Sequence, residues 1–166
     1  MPAWSTNLTS RVKHRPKIHL VDVALAAHLT NTSTDRMLAP TSSNVGALFE
    51  SFVVNEVIKQ LGWAETRARL FHFRDRSGPE VDMILESNDG RIVAIEVKAG
   101  QTVATSDAKW PALLRDRLGD RFVCGVVLHS GAHVLPLGDR LWSAPIENLW
   151  AASIGANPAT SGGISA

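Results

Sequence analysis

A mixed α/β fold, one central mixed sheet flanked by helices, follows from three features of this sequence. Between Asn44 and Leu61, the residues Val45, Leu48, Phe49, Phe52, Val53, Val57, Ile58 and Leu61 recur at three- and four-residue spacings, and Gly62 stands where such a helix stops. Gly78–Leu85 and Ile92–Lys98 read as two short strands joined by Glu86–Arg91, with Asp89-Gly90 as the turn signal. A second helical stretch, Ser106–Leu118, then separates this hairpin from the apolar run Arg121–Leu128. If those two strands run parallel, the helix between them makes a right-handed crossover.

In chain order, residues 1–16 are polar, end in Arg15-Pro16, and read as a flexible basic lead-in to a domain spanning 17–150. Lys17–Asp22 is a candidate short strand, and Asp22 a candidate cap for a helix over Val23–Leu29. Thr30–Ser43, rich in Thr, Ser and Asn, is a loop or a short helix around Asp35–Leu38. After the long helix, Arg69–Arg74 alternates as a strand, with Leu70 and His72 opposite Phe71 and Phe73, and a charged turn leads into the hairpin. In the crossover helix Ser106 or Asp107 is the cap and Trp110, Leu113, Leu114 and Leu118 are the buried side. Pro111 is compatible only with its first turn. His133–Pro136 and Arg140–Trp142 close the sheet, and Pro145 opens a last helical turn ending at Leu149-Trp150. Trp63, Trp110, Trp142 and Trp150 read as core or edge anchors. Residues 151–166, small, polar and Gly/Ser-rich, read as a disordered tail.

The chain has 166 residues, 45% hydrophobic and 20% charged, enough for one domain with its own core. A net charge of +1 does not mark a nucleic-acid binder, but its distribution is uneven. Arg11, Lys13, Arg15 and Lys17 lie in the first 19 residues without an acid. The remainder has 13 basic against 16 acidic residues, or −3. A basic arm before an acidic-leaning domain fits phosphate contact, and equally a solvated linker. The single cysteine, Cys124, sits in an apolar run and is expected as a small core residue, with no intramolecular disulfide. The six histidines lack zinc-ligand spacing. The apolar stretches fall short of the ~18 residues of a membrane span, and Met1–Ser10 lacks the apolar core of a signal peptide. A soluble cytoplasmic protein without a membrane partner is expected.

The hairpin carries the chemistry. Side chains alternate along a strand, so Glu96 and Lys98 share a face while Val93, Ile95 and Val97 line the other. Asp82, between Val81 and Met83, comes near Glu96 when the two strands pair. Adjacent carboxylates repel unless one takes a proton or a cation sits between them. Hard oxygen ligands suit Mg²⁺ or Mn²⁺, and Lys98 is placed to orient a metal-bound water or offset phosphate charge. The alternative is a surface hairpin whose charges are solvated or salt-bridged. On the long helix, Glu50 and Glu56 are further available carboxylates.

Helix Glu50, then Gly78-x-Glu80-Val81-Asp82, then Ile95-Glu96-Val97-Lys98 resembles the core of the PD-(D/E)xK nuclease superfamily. More closely, Gly46–Val53, Phe73-Arg74-Asp75, Glu80-Val81-Asp82, Glu96-Val97-Lys98, Gly125–Leu128, Leu135–Asp139 and Leu141–Ile146 resemble domain of unknown function 4143. That domain usually follows an AAA-type ATPase. The resemblance runs from about Lys17 to Trp150. It implies a restriction-endonuclease-like core with Asp82, Glu96 and Glu50 as ligands of Mg (or Mn) and Lys98 as the catalytic lysine. Arg74, Arg76 and Gln101 are weaker candidates for DNA phosphate contact. A metal-dependent DNA phosphodiesterase is one expectation. The other is a non-catalytic module that binds DNA or docks an AAA-type ATPase in trans, since the chain has no G-x-x-x-x-G-K-[ST] phosphate loop and no tyrosine for base stacking.

Overall fold

The computed structural model describes residues 1–5, 15–33, 43–75 and 78–151. Its helices are α1 (Val23–Leu29), α2 (Ser43–Leu61) and α3 (Lys109–Leu118). Its strands are β1 (Ala68–Arg74), β2 (Glu80–Ser87), β3 (Ile92–Lys98), β4 (Phe122–His129), β5 (Leu135–Gly138) and β6 (Leu141–Pro145). The six strands form one sheet in the order β1-β2-β3-β4-β6-β5. β1, β2 and β3 are antiparallel neighbours, and β5 is antiparallel to β6. The pairs β3–β4 and β4–β6 are parallel. The sheet is mixed, as expected.

β3 lies inside the sheet, and its apolar first half is covered on both faces. One face carries Ile92 and Ala94 into a core with Phe71, Phe73, Ile84, Phe122 and Val127, closed by Leu114 and Ala108. The other carries Ile95 against Val53, Val54 and Val57 of α2, together with Met83 and Leu128. α2 and α3 therefore cover opposite faces. Gly90 (φ +82°) makes the β2–β3 turn, a conformation that costs glycine little. Asp22 caps α1 through its carboxylate on the Leu25 N–H (2.9 Å), and Ala26 and Ala27 of α1 pack with Leu48 of α2.

Several expectations need correction. Residues 1–5, read as part of the lead-in, lie along β1: the His72 N–H donates to the Pro2 carbonyl and the Trp4 N–H to the His72 carbonyl. Trp4 is buried with its ring edge-on to Phe73. Residues 6–14 and 152–166 lie outside the described residues, as does most of the Thr30–Ser43 stretch. Lys17–Asp22 forms no strand, because the Leu20 and Val21 carbonyls are taken by the side chain of Asn55 (2.8 and 3.2 Å) rather than by a neighbouring backbone. The crossover helix opens with a 3₁₀ turn, Thr105–Ala108, and becomes α-helical at Lys109. Pro111 then falls in the first α-turn, where its missing N–H leaves no hydrogen bond unmade. Trp63 is not a core anchor but is 74% exposed just past the end of α2. Trp150 does serve as an edge anchor, against Phe52 and with its indole N–H on Glu56 (3.2 Å).

Candidate functional site

Sequence alternation alone puts Val81 and Met83 on one face of β2. The structure separates them: Val81 packs with Phe71 and Phe73, Met83 with Ile95 and α2. The cause is a bulge. Phe71 pairs with Ile84 but Phe73 pairs with Val81, so β2 carries one extra residue at Asp82–Met83. A bulge turns the strand and re-aims the side chain at the inserted position. The β2–β3 ladder ends at Met83–Ile95, and beyond it the Val97 N–H donates to Asp82 Oδ2 (3.0 Å) instead of to a carbonyl. Asp82 thus stands in for the missing rung and holds the two parting strands together.

Two charged groupings meet at Asp82. On the α2 side, Lys17 Nζ lies 2.5 Å from Glu50 Oε1, 3.3 Å from Glu80 Oε1 and 3.3 Å from Asp82 Oδ1. On the other side, Lys98 Nζ lies 3.7 Å from Glu96 Oε1 and 3.8 Å from Asp107 Oδ1. Glu96 is only 13% exposed, and its Oε2 is buried without a hydrogen-bond partner. Burial, and then the neighbouring Asp82 charge, push the Glu96 carboxyl up to about 8. Glu50 is also held above its ordinary value, by burial and then by Asp82. The ion pair with Lys17 offsets this only in part, because one ammonium is shared among three carboxylates. Burial acts to lower the Lys17 ammonium, but Glu50, Asp82 and Glu80 outweigh it and hold it above the usual lysine value. Burial, and then Lys17, hold the His19 imidazole below its ordinary value, and its Nδ1 lies 3.2 Å from Ser51 Oγ.

Of the sequence-predicted residues, Glu50, Asp82, Glu96 and Lys98 all lie in these two groupings. Arg74 is at the rim, its Nε 3.7 Å from Glu80 Oε2 and its side chain 70% exposed. Gln101 lies exposed in the bend after β3, and Arg76 is outside the described residues. Sequence reasoning missed Lys17 and Glu80 as members of the cluster. Glu80 was readable, two residues before Asp82; Lys17 arrives across 65 positions of sequence with no local signal.

Among the described residues, no group of three histidine, cysteine, aspartate or glutamate side chains is arranged to hold a metal ion. The donor chemistry nevertheless fits a hard divalent cation at one place. Asp82 and Glu96 are paired carboxylates, and the buried Glu96 Oε2 has no partner. Mg²⁺ is commonly held by one or two carboxylates, with waters and phosphate oxygens completing its shell. Glu50 is less available, since it is closed on Lys17.

Beside the cluster, a cavity of about 470 Å³ is lined by Arg15, Lys17, His72, Arg74, Asp75 and Glu80, among others. No helix among the described residues is long and apolar enough to cross a membrane. The model of the domain of unknown function DUF4143 matches residues 45–149, from α2 to the last 3₁₀ turn, and so includes Glu50, Glu80, Asp82, Glu96 and Lys98 but not Lys17. No curated protein and no solved structure matches the chain.

Proposed function

The chain belongs to the DUF4143 family, and from that premise we propose that it is a divalent-metal-dependent DNA phosphodiesterase built on a restriction-endonuclease-like, PD-(D/E)xK-type core. One observation carries the reading: a buried Glu96 carboxylate with an unpartnered oxygen beside Asp82, at the point where β2 and β3 part. Such a pair is stable with a proton or with a cation between its members. Asp82 and Glu96 would hold Mg²⁺ or Mn²⁺. When bound, that ion supplies a water of lowered pKa and stabilises charge building on the scissile phosphate. The protein's own part is positional. The bulge and the Val97 N–H fix Asp82, and β3 places Glu96 and Lys98 on one face. Lys98, 40% exposed, reaches Glu96 from the solvent side, where it can orient a water or steady a phosphate oxygen. Arg74 extends positive charge along the rim for the DNA backbone.

The test is calorimetric titration with Mn²⁺ and Mg²⁺ of the wild type, Asp82→Ala and Lys98→Ala, followed by cleavage assays on duplex, single-stranded and branched DNA. The reading expects metal bound by wild type and by Lys98→Ala, lost in Asp82→Ala, and cleavage lost in both variants. A wild type that binds no metal at millimolar concentration, even with DNA present, refutes it. A second reading has its own support. Lys17 already balances charge on three carboxylates, as a non-catalytic module that binds DNA or docks an AAA-type ATPase in trans would need.

A further inference from the structure

The position of Lys17 is built rather than incidental. Its N–H donates to the Met1 carbonyl (2.9 Å), which places it beside the segment running along β1. On its other side the chain is fastened to α2: His19 Nδ1 meets Ser51 Oγ at 3.2 Å, and the buried Asn55 holds the Leu20 and Val21 carbonyls. The side chain is 27% exposed and those of Glu50 and Asp82 are 17% and 13%, so these charges meet largely out of water. An ammonium has three N–H donors, and here three carboxylates surround it. Among the described residues these three are its ion pairs. Glu96 is served by Lys98 at 3.7 Å instead. Groups facing the cluster from its surroundings include His19 from the segment before α1, His72 and Arg74 from β1 and Asp107 from the turn before α3.

We propose that Lys17 is the resident cation of the Glu50–Glu80–Asp82 half of the site. The site then takes a single divalent ion, on the Asp82–Glu96 half, and Glu50 serves Lys17 rather than the metal. This rests on the metal-dependent reading above and names its stoichiometry and ligand set. Lysine is a positioning residue here: it holds Glu50 by charge and Glu80 and Asp82 by charge and hydrogen bonding, in the place where a second metal ion would otherwise sit.

The experiment is calorimetric Mn²⁺ titration of wild type, Lys17→Met and Glu50→Gln, with melting temperatures in chelator and in Mn²⁺. One ion is expected for the wild type, two for Lys17→Met, and one for Glu50→Gln with affinity within about threefold of wild type. Two ions on wild type, a single unchanged ion on Lys17→Met, or a tenfold loss of affinity in Glu50→Gln overturns the inference while leaving the metal-dependent reading intact. If wild type binds none, that reading falls. An ion gained by Lys17→Met still supports the lysine's role in that case, and none gained overturns it. Should Lys17→Met be unfolded in chelator, recovery of its melting transition in Mn²⁺ supports the inference and absence of recovery overturns it.

Discussion

Glu96→Gln removes the charge of a strongly perturbed carboxyl while keeping its size and its place on β3. In the folded protein burial and Asp82 raise this group from 4.5 to about 8. Between those values the unfolded chain releases the proton and the folded chain keeps it. Stability without metal therefore falls as pH rises from about 4.5 to about 8, and is greatest below the unfolded value. At ~1.4 kcal/mol per pH unit the shift bounds the loss at ~5 kcal/mol. The Lys98 ammonium beside Glu96 offsets part of this, so we expect roughly 2–3 kcal/mol, a fall in melting temperature of about 5–10 °C for a chain of this size. Glutamine mimics the protonated form and abolishes this slope. Glu96→Gln is thus expected to match wild type near pH 5 and to be the more stable protein near pH 9. The assay is thermal and urea unfolding in chelator across pH 5–9. Parallel pH profiles for the two proteins, or a wild type that gains stability over this range, refute the assignment of Glu96 as a buried, cation-seeking group.

Two further expectations concern the scaffold. A Cβ on Gly125 would stand 2.7 Å from Leu141 Cδ2 and 2.8 Å from Pro111 Cβ. Gly125→Ala should therefore cost about 1–3 kcal/mol by overpacking, read from the urea midpoint, and a change under ~0.5 kcal/mol contradicts the close approach of α3 to β4. Trp4→Ala removes a ring buried against Phe73 and is expected to cost about 3–5 kcal/mol. Unaltered stability and unaltered protease resistance of residues 1–5 contradict their packing along β1.

The elements that sequence reasoning placed well are those with dense local pattern. α2 is marked by eight apolar residues at helical spacing, although Phe52 and Ile58 among them are exposed and the buried Val54 lies outside that pattern. The hairpin has its Asp89-Gly90 turn, and β4 its apolar run, while the parallel direction of the β3–β4 pair is supplied by the structure. Asp82, Glu96 and Lys98 were legible as a group because a β-strand that turns ionic on one face is unusual. The bulge was not legible. An inserted residue leaves no compositional mark, and strict alternation assigned Val81 and Met83 to the same face. Lys17 and Trp4 escaped for a related reason: each acts through partners far along the chain, Asp82 in one case and Phe73 in the other. Each stands in a stretch whose own composition reads as a linker. Trp63 shows the converse, since a large apolar side chain beside a helix end carries no signal of whether anything covers it.

β5 is the last strand of the sheet, only Leu135–Gly138, with Pro136 within it. A rim strand with free N–H and C=O groups is a template on which another chain can add, the usual start of edge-to-edge aggregation. Proline has no N–H to offer, and four residues are too few for a lasting ladder. Leu135, half exposed there, thus sits on a rim that resists extension by a second copy. At the opposite rim, the hydrogen bonds of Pro2 and Trp4 with His72 engage both backbone groups of that β1 residue. A second chain extending the sheet would thus meet a proline at one rim and the Pro2–Trp4 segment, at His72, on the other.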